Sequence, residues 1–139
     1  MRGGTANCSI KISDEPIASP YVNKIDVLIA MNEPSLKKFE NDVVSGGMII
    51  VNTSIVKEKV GRSDVKVVEI NANDIAVELN NPRAVNLIVL GTFVGATGVL
   101  TKDDMSNGIE KYFEKKKIDN TLNLKAYEEG FAIGEAQKG

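Results

Sequence analysis

The sequence predicts an α/β protein: a three-layer, Rossmann-like sandwich whose mostly parallel sheet is flanked by helices and followed by a helical C-terminal segment. Three observations predict it. Val27-Leu-Ile-Ala-Met31 and Met48-Ile-Ile-Val51 are uninterrupted apolar runs, the pattern of strands covered on both faces. Between them Leu36, Phe39 and Val43 fall at i, i+3 and i+7, one face of a helix. After a third strand-like run, Val65-Lys-Val-Val-Glu-Ile70, the chain keeps a helical period almost to its end.

Taken in order, the chain opens on Arg2-Gly3-Gly4-Thr5 and runs into a strand in which Ala6, Cys8, Ile10 and Ile12 alternate with Asn7, Ser9, Lys11 and Ser13. Arg2 brings a fixed fork of donors, and the two glycines allow exposed amides to converge on an anion. The same residues also suit a frayed terminus. Asp14 to Pro20 reads as turn and loop, with Asp14 and Glu15 as turn formers rather than an acid/base pair.

The Val27–Met31 strand leads into Asn32-Glu-Pro-Ser35, a helix start with Asn32 as cap and proline in the first turn. Ser45-Gly46-Gly47 is expected to end that helix. Strand, helix and strand then make a βαβ unit, which brings the chain ends after Met31 and Val51 to one edge of the sheet. Ligands of open α/β sheets bind at that edge, so Asn32, Asn52 and Ser54 are candidate contacts there; Asn and Ser are equally favoured as helix caps.

Residues 55–64 are expected to form a short helix stopping at Gly61. Val65–Ile70 is less apolar and is placed near the sheet margin. Asn73 is expected to cap a helix from Asp74 to Leu79, ended by Asn80-Asn81-Pro82. Ala84 to Val94 is apolar nearly all round and therefore a buried helix, in which Asn86 would need polar partners. Gly95-Ala-Thr-Gly98 breaks it. Thr101 with Asp104 resembles a capping box, and Lys115-Lys-Lys117 closes the next helix where cations suit the dipole. The last helix begins near Asn120, with Gly130 and Gly134 weakening it unless another surface approaches closely.

At 139 residues the chain is expected to be a single domain, residues 1–139. A net charge of −2, from 17 basic and 19 acidic residues spread along the chain, leaves no electrostatic footprint for nucleic acid. There is no histidine, which excludes Ser-His and Cys-His nucleophiles and ordinary zinc sites. Cys8 alone cannot hold an iron-sulfur cluster, and its place on the apolar parity of the first strand suits packing. No catalytic or metal-ligating set is expected in this chain. No apolar run approaches the roughly 20 residues of a membrane span, so the expected compartment is the cytoplasm.

Met1-Arg-Gly-Gly-Thr-Ala-Asn-Cys-Ser9 with Ser13-Asp-Glu-Pro-Ile17, followed by Asp26-Val-Leu-Ile-Ala-Met-Asn-Glu-Pro-Ser35, Gly46-Gly-Met-Ile-Ile-Val-Asn52, Asn81-Pro-Arg83 with Asn86, and Asn123-Leu-Lys-Ala126, resembles the gamma subunit, or gamma domain, of the 2-oxoacid:ferredoxin oxidoreductases. The resemblance covers essentially the whole chain. Family members open with a strand, a glycine-rich turn and a helix before the Arg-Gly-Gly loop. This sequence begins at the loop, so the expectation is a truncated gamma unit, or one completed by another chain.

The resemblance implies a complex that turns a 2-oxoacid, coenzyme A and oxidised ferredoxin into acyl-coenzyme A, carbon dioxide and reduced ferredoxin. It places thiamine diphosphate, with Mg2+, between alpha and beta subunits, and iron-sulfur clusters in beta or delta components, leaving no cofactor bound by this chain alone. It sets Arg2, Gly3, Gly4 and Thr5 near the coenzyme A entry, as contacts to that cofactor or to a neighbouring subunit. The implied partners are alpha, beta and possibly delta subunits, with ferredoxin reached through the complex. Three alternatives stay open: the small subunit of an indolepyruvate-type oxidoreductase, a free-standing nucleotide or acyl-coenzyme A binding module, and an orphan subunit that keeps only its fold. Loss of the first strand would expose an apolar sheet margin, so the isolated chain is expected to self-associate.

Overall fold

The computed structural model describes residues 24–115 and 121–137. Three parallel strands lie in the order β1 (Ile25–Ala30), β2 (Val43–Asn52), β3 (Lys66–Ile70). Five helices accompany them: α1 (Glu33–Phe39), α2 (Ala72–Glu78), α3 (Val85–Thr97), α4 (Lys102–Lys115) and α5 (Thr121–Ala136). The sheet has helices on both sides, as the apolar runs require. On one face Leu28, Ala30, Ile49 and Val51 pack with Leu36 of α1 and Val56 of the following loop. On the other, Ile50, Val68 and Ile70 meet Ile75 of α2, Ile88 of α3 and Ala126 of α5. A third cluster, Val94, Ile109 and Tyr127, fastens α4 to the outside of the α3–α5 pair.

Several local signals act as the sequence predicts. Asn32 Oδ1 accepts the Ser35 amide at 2.9 Å and caps α1. Thr101 Oγ1 accepts the Asp104 amide at 3.1 Å at the start of α4. Gly98, at φ 69°, ends α3 in the left-handed conformation.

Four local expectations are corrected. The helix after Asn32 stops at Phe39, a 3-10 turn covers Glu40–Asp42, and Val43 already belongs to β2. The sheet accounts for the change: Ile25 pairs with Val43 and Val27 with Met48, so residues 44–47 form a bulge inside the strand rather than a helix end. Gly46 takes φ 82° in that bulge and donates its amide to the Asp64 carbonyl at 2.6 Å. No helix forms across 55–64, because its polar groups are tied to distant residues instead. The N-cap position of α2 is Asn71, and Asn73 lies inside the first turn. Finally, Asn86 is exposed and escapes the partner requirement of a buried amide, although α3 as a whole is deeply buried.

The α3–α5 contact explains the glycines of the last helix. A Cβ on Gly130 would fall against the Ile88 carbonyl, and one on Gly134 against the Thr92 carbonyl. Gly91 and Gly95 return the contact toward the Phe131 and Glu135 amides, where a Cβ would sit 2.7 and 2.8 Å away. Two backbones thus approach to a distance that only glycine permits.

Candidate functional site

The ends of β1, β2 and β3 meet at one edge of the sheet, the place where parallel α/β sheets present loops and helix starts. The structure brings Asn52 and Ser54 together there. Asn52, only 2 % exposed, accepts the Ala72 amide at 3.1 Å and the Ser54 amide at 3.3 Å, and donates from Nδ2 to Asn73 Oδ1 at 2.8 Å. Ser54 Oγ accepts the Asp74 amide at 3.2 Å. The end of β2 therefore supplies the acceptors that the first turn of α2 needs.

Asn32 stands apart from this group, as the cap of α1. The next residue, Glu33, links the two places: its carboxylate accepts the Lys57 amide at 2.9 Å, and Lys57 Nζ returns to the Thr53 carbonyl at 2.9 Å. Three of the candidates are thus engaged within the chain itself. Arg2, Gly3, Gly4 and Thr5 lie outside the described residues, as does Cys8.

Sequence reasoning passes over Arg62. Its Nε and Nη2 grip the Asp64 carboxylate at 2.9 and 2.6 Å, and Nη1 donates to the carbonyls of Glu40 and Val43. Glu40 in turn accepts the Gly61 amide at 2.6 Å. The hydrogen bonds from Arg62 hold the Asp64 carboxyl below its ordinary pKa, with help from Ser45. No local pattern announces this clamp, since its ends are 19 to 22 residues apart. A signal for Asn73 does exist: Asn71-Ala-Asn73 sets two carboxamides at the start of α2, and Asn73, rather than the N-cap residue Asn71, pairs with Asn52. Asn81 and Asn123 make a similar amide pair at 2.9 Å, tying the α2–α3 connection to α5.

Between loop 53–60 and β3 lies a groove of about 220 Å³, floored by Val51, Val56 and Val67 and rimmed by Lys57, Lys59 and Glu69. Among the described residues no cluster of three or more His, Cys, Asp or Glu is placed to hold a metal ion. No described helix is long and apolar enough to cross a membrane. The edge offers amides, hydroxyls and backbone groups, which suit binding and positioning.

A sequence model of the family described as Pyruvate ferredoxin/flavodoxin oxidoreductase matches residues 1–133. The chain belongs to this family. The ketoisovalerate oxidoreductase subunit VorA of Methanothermobacter thermautotrophicus is 35% identical over 132 residues, covering 94% of this chain and 27% of that protein. The chain therefore spans about a quarter of that relative's length. The 2-oxoglutarate synthase subunit KorC of Methanocaldococcus jannaschii is 30% identical over 134 residues, covering 95% of this chain and 71% of the relative. Among solved structures, the gamma subunit of a keto/oxoacid ferredoxin oxidoreductase from Geobacter sulfurreducens superposes with a TM-score of 0.74 at 23% identity, over 91% of this chain and 69% of that one. At that identity the likeness speaks for a shared fold.

Proposed function

We propose that this chain is the gamma-type component of a 2-oxoacid:ferredoxin oxidoreductase, a complex that decarboxylates a 2-oxoacid oxidatively to acyl-coenzyme A and passes the electrons to ferredoxin. The observation that carries the reading is the family match over residues 1–133, which leaves almost none of the chain unassigned. With no histidine and one cysteine, the chain supplies neither an imidazole base nor a set of cluster ligands. Its part is to position companions, while thiamine diphosphate, Mg2+ and iron-sulfur clusters belong to alpha, beta and delta subunits in this reading.

Arg2, Gly3, Gly4 and Thr5 are the proposed contacts to coenzyme A or to the neighbouring subunit. Arginine suits phosphate, and glycine amides suit the oxygens beside it. Asn32, Asn52 and Ser54 serve the C-terminal edge of the sheet indirectly, by fixing the starts of α1 and α2. The relatives named above carry ketoisovalerate and 2-oxoglutarate in their names, which favours this reading over an indolepyruvate-type subunit.

The test is co-expression with candidate alpha and beta subunits. Co-purification, and ferredoxin reduction that needs the 2-oxoacid, coenzyme A and this chain together, is the expected result. In that complex Arg2→Ala should raise KM for coenzyme A while leaving kcat largely intact. A chain that ignores both subunits, or full activity without it, would overturn the reading.

A further inference from the structure

Helix α4 is held to the rest of the fold along one stripe. Of its 14 residues only Ile109 is buried, with Met105 and Phe113 half-buried four residues to either side. Beneath that stripe lies the apolar outer face of the α3–α5 pair, formed by Leu87, Leu90, Val94, Leu124, Tyr127 and Phe131. Two further attachments lie at the first turn. The Tyr127 hydroxyl donates to the Lys102 carbonyl at 3.1 Å, and Lys102 Nζ stands 5.6 Å from the centre of the Phe131 ring.

The layers differ in how firmly they are joined. Between α3 and α5 the backbones touch at Gly91, Gly95, Gly130 and Gly134, so the two helices form one interlocked piece. Gly108, in the middle of α4, is different: nothing lies within 4 Å of an added Cβ, so no close approach compensates the loss of helix propensity. Ser106 and Asn107 before it are weaker helix formers than alanine too. A helix with one buried stripe and a weak centre opens locally before the elements it rests on. The 98–101 connection supplies a pivot, because Gly98 is exposed at φ 69° and Val99 beside it is 49 % exposed.

We propose that α4 is a lid on the α3–α5 pair. It swings away as one unit about Gly98 while the sheet and the α3–α5 pair stay folded, and the Tyr127 hydroxyl is its latch. Opening bares Tyr127 and the apolar face around it to water. Closing returns the Ile109 stripe to that face, and the apolar burial keeps the closed form dominant.

Native-state hydrogen exchange of the full chain, over a series of low denaturant concentrations, tests this. The amides of residues 106–115 should share one opening constant and be at least about tenfold less protected than the buried centre of α3. Their exchange should also rise less steeply with denaturant than that of α3, since opening the lid exposes less surface than unfolding the chain. Tyr127→Phe removes the latch at Lys102 and should raise the opening constant about two- to tenfold, the order of one net hydrogen bond. The rise should reach Ile109 and Phe113, well beyond the latched turn. Gly108→Ala should lower the same constant about two- to fivefold. Amides of α4 that match α3 in protection and denaturant slope overturn the proposal, as does a Tyr127→Phe effect that stops before Ile109. The readout needs no companion subunit, so the reading of the chain as a gamma-type component is tested separately.

Discussion

Asn52 Nδ2 donates to Asn73 Oδ1 at 2.8 Å, which joins the end of β2 to the first turn of α2 across 21 residues of sequence. The same buried carboxamide accepts the Ala72 amide, so one side chain both starts a helix and fixes its position on the sheet.

Asn52→Ala should destabilise the fold by about 1–3 kcal/mol, because it leaves the buried Ala72 amide without an acceptor. Asn73→Ala strips the acceptor from the buried Asn52 Nδ2 but leaves the Ala72 and Ser54 amides satisfied, so it should cost less, at the low end of that range, about 1 kcal/mol. Urea unfolding of the two variants measures the difference, and equal losses would show that Ala72 finds another partner.

Gly130→Ala and Gly108→Ala should move stability in opposite directions. At 130 the added methyl meets the Ile88 backbone, and overpacking of roughly 1–3 kcal/mol or more outweighs the ~1 kcal/mol gain in helix propensity. At 108, in α4, nothing lies within 4 Å of the added Cβ, so only the gain remains, about 0.4–1 kcal/mol. Thermal melts of the pair decide; a neutral Gly130→Ala would mean that α3 and α5 can separate freely.

Acid should weaken the clamp at Asp64. Its folded pKa is lowered, chiefly by the hydrogen bond from Arg62, so its contribution is complete above the ordinary carboxylate pKa of about 3.9 and fades as pH falls through the folded value. Asp64→Asn should therefore be less stable than the parent at neutral pH, with the gap closing in acid. Both groups are partly exposed, so added salt should narrow the gap too. A gap independent of pH would show that the carboxylate charge is not what Asp64 contributes.

Alkali should act through Tyr127. Burial raises its pKa, aided by the charges of Asp103 and Glu128, so the folded state keeps the phenol neutral where the unfolded chain ionises. Stability should then fall as pH rises through about 10. Tyr127→Phe should flatten that decline and cost about 0.5–1.5 kcal/mol at neutral pH, through loss of the bond from the phenol to the Lys102 carbonyl. Chemical denaturation at pH 7 and pH 10.5 separates the two effects.

The class of fold, and the signals that act over one helical turn, were legible in the order of the residues. The apolar runs at 27–31 and 48–51 are parallel strands, Asn32 and Thr101 cap their helices, and the apolar segment after Ala84 is buried. The spacing of Gly130 and Gly134 also announced a close surface, though not that Gly91 and Gly95 would supply its other half. Contacts between distant segments set the rest. Val43 obeys its ladder partner Ile25 rather than the helical period of Leu36 and Phe39. Residues 55–64 follow Glu33 and Glu40, which hold Lys57, Gly61 and Arg62, rather than their own propensity. Of the candidate edge, the residue types were legible, while the pairing of Asn52 with Asn73 and of Gln137 with Glu69 was not. Periodicity and caps act between residues three or four apart, whereas these bonds join positions 21 and 68 apart, whose meeting depends on how the layers pack.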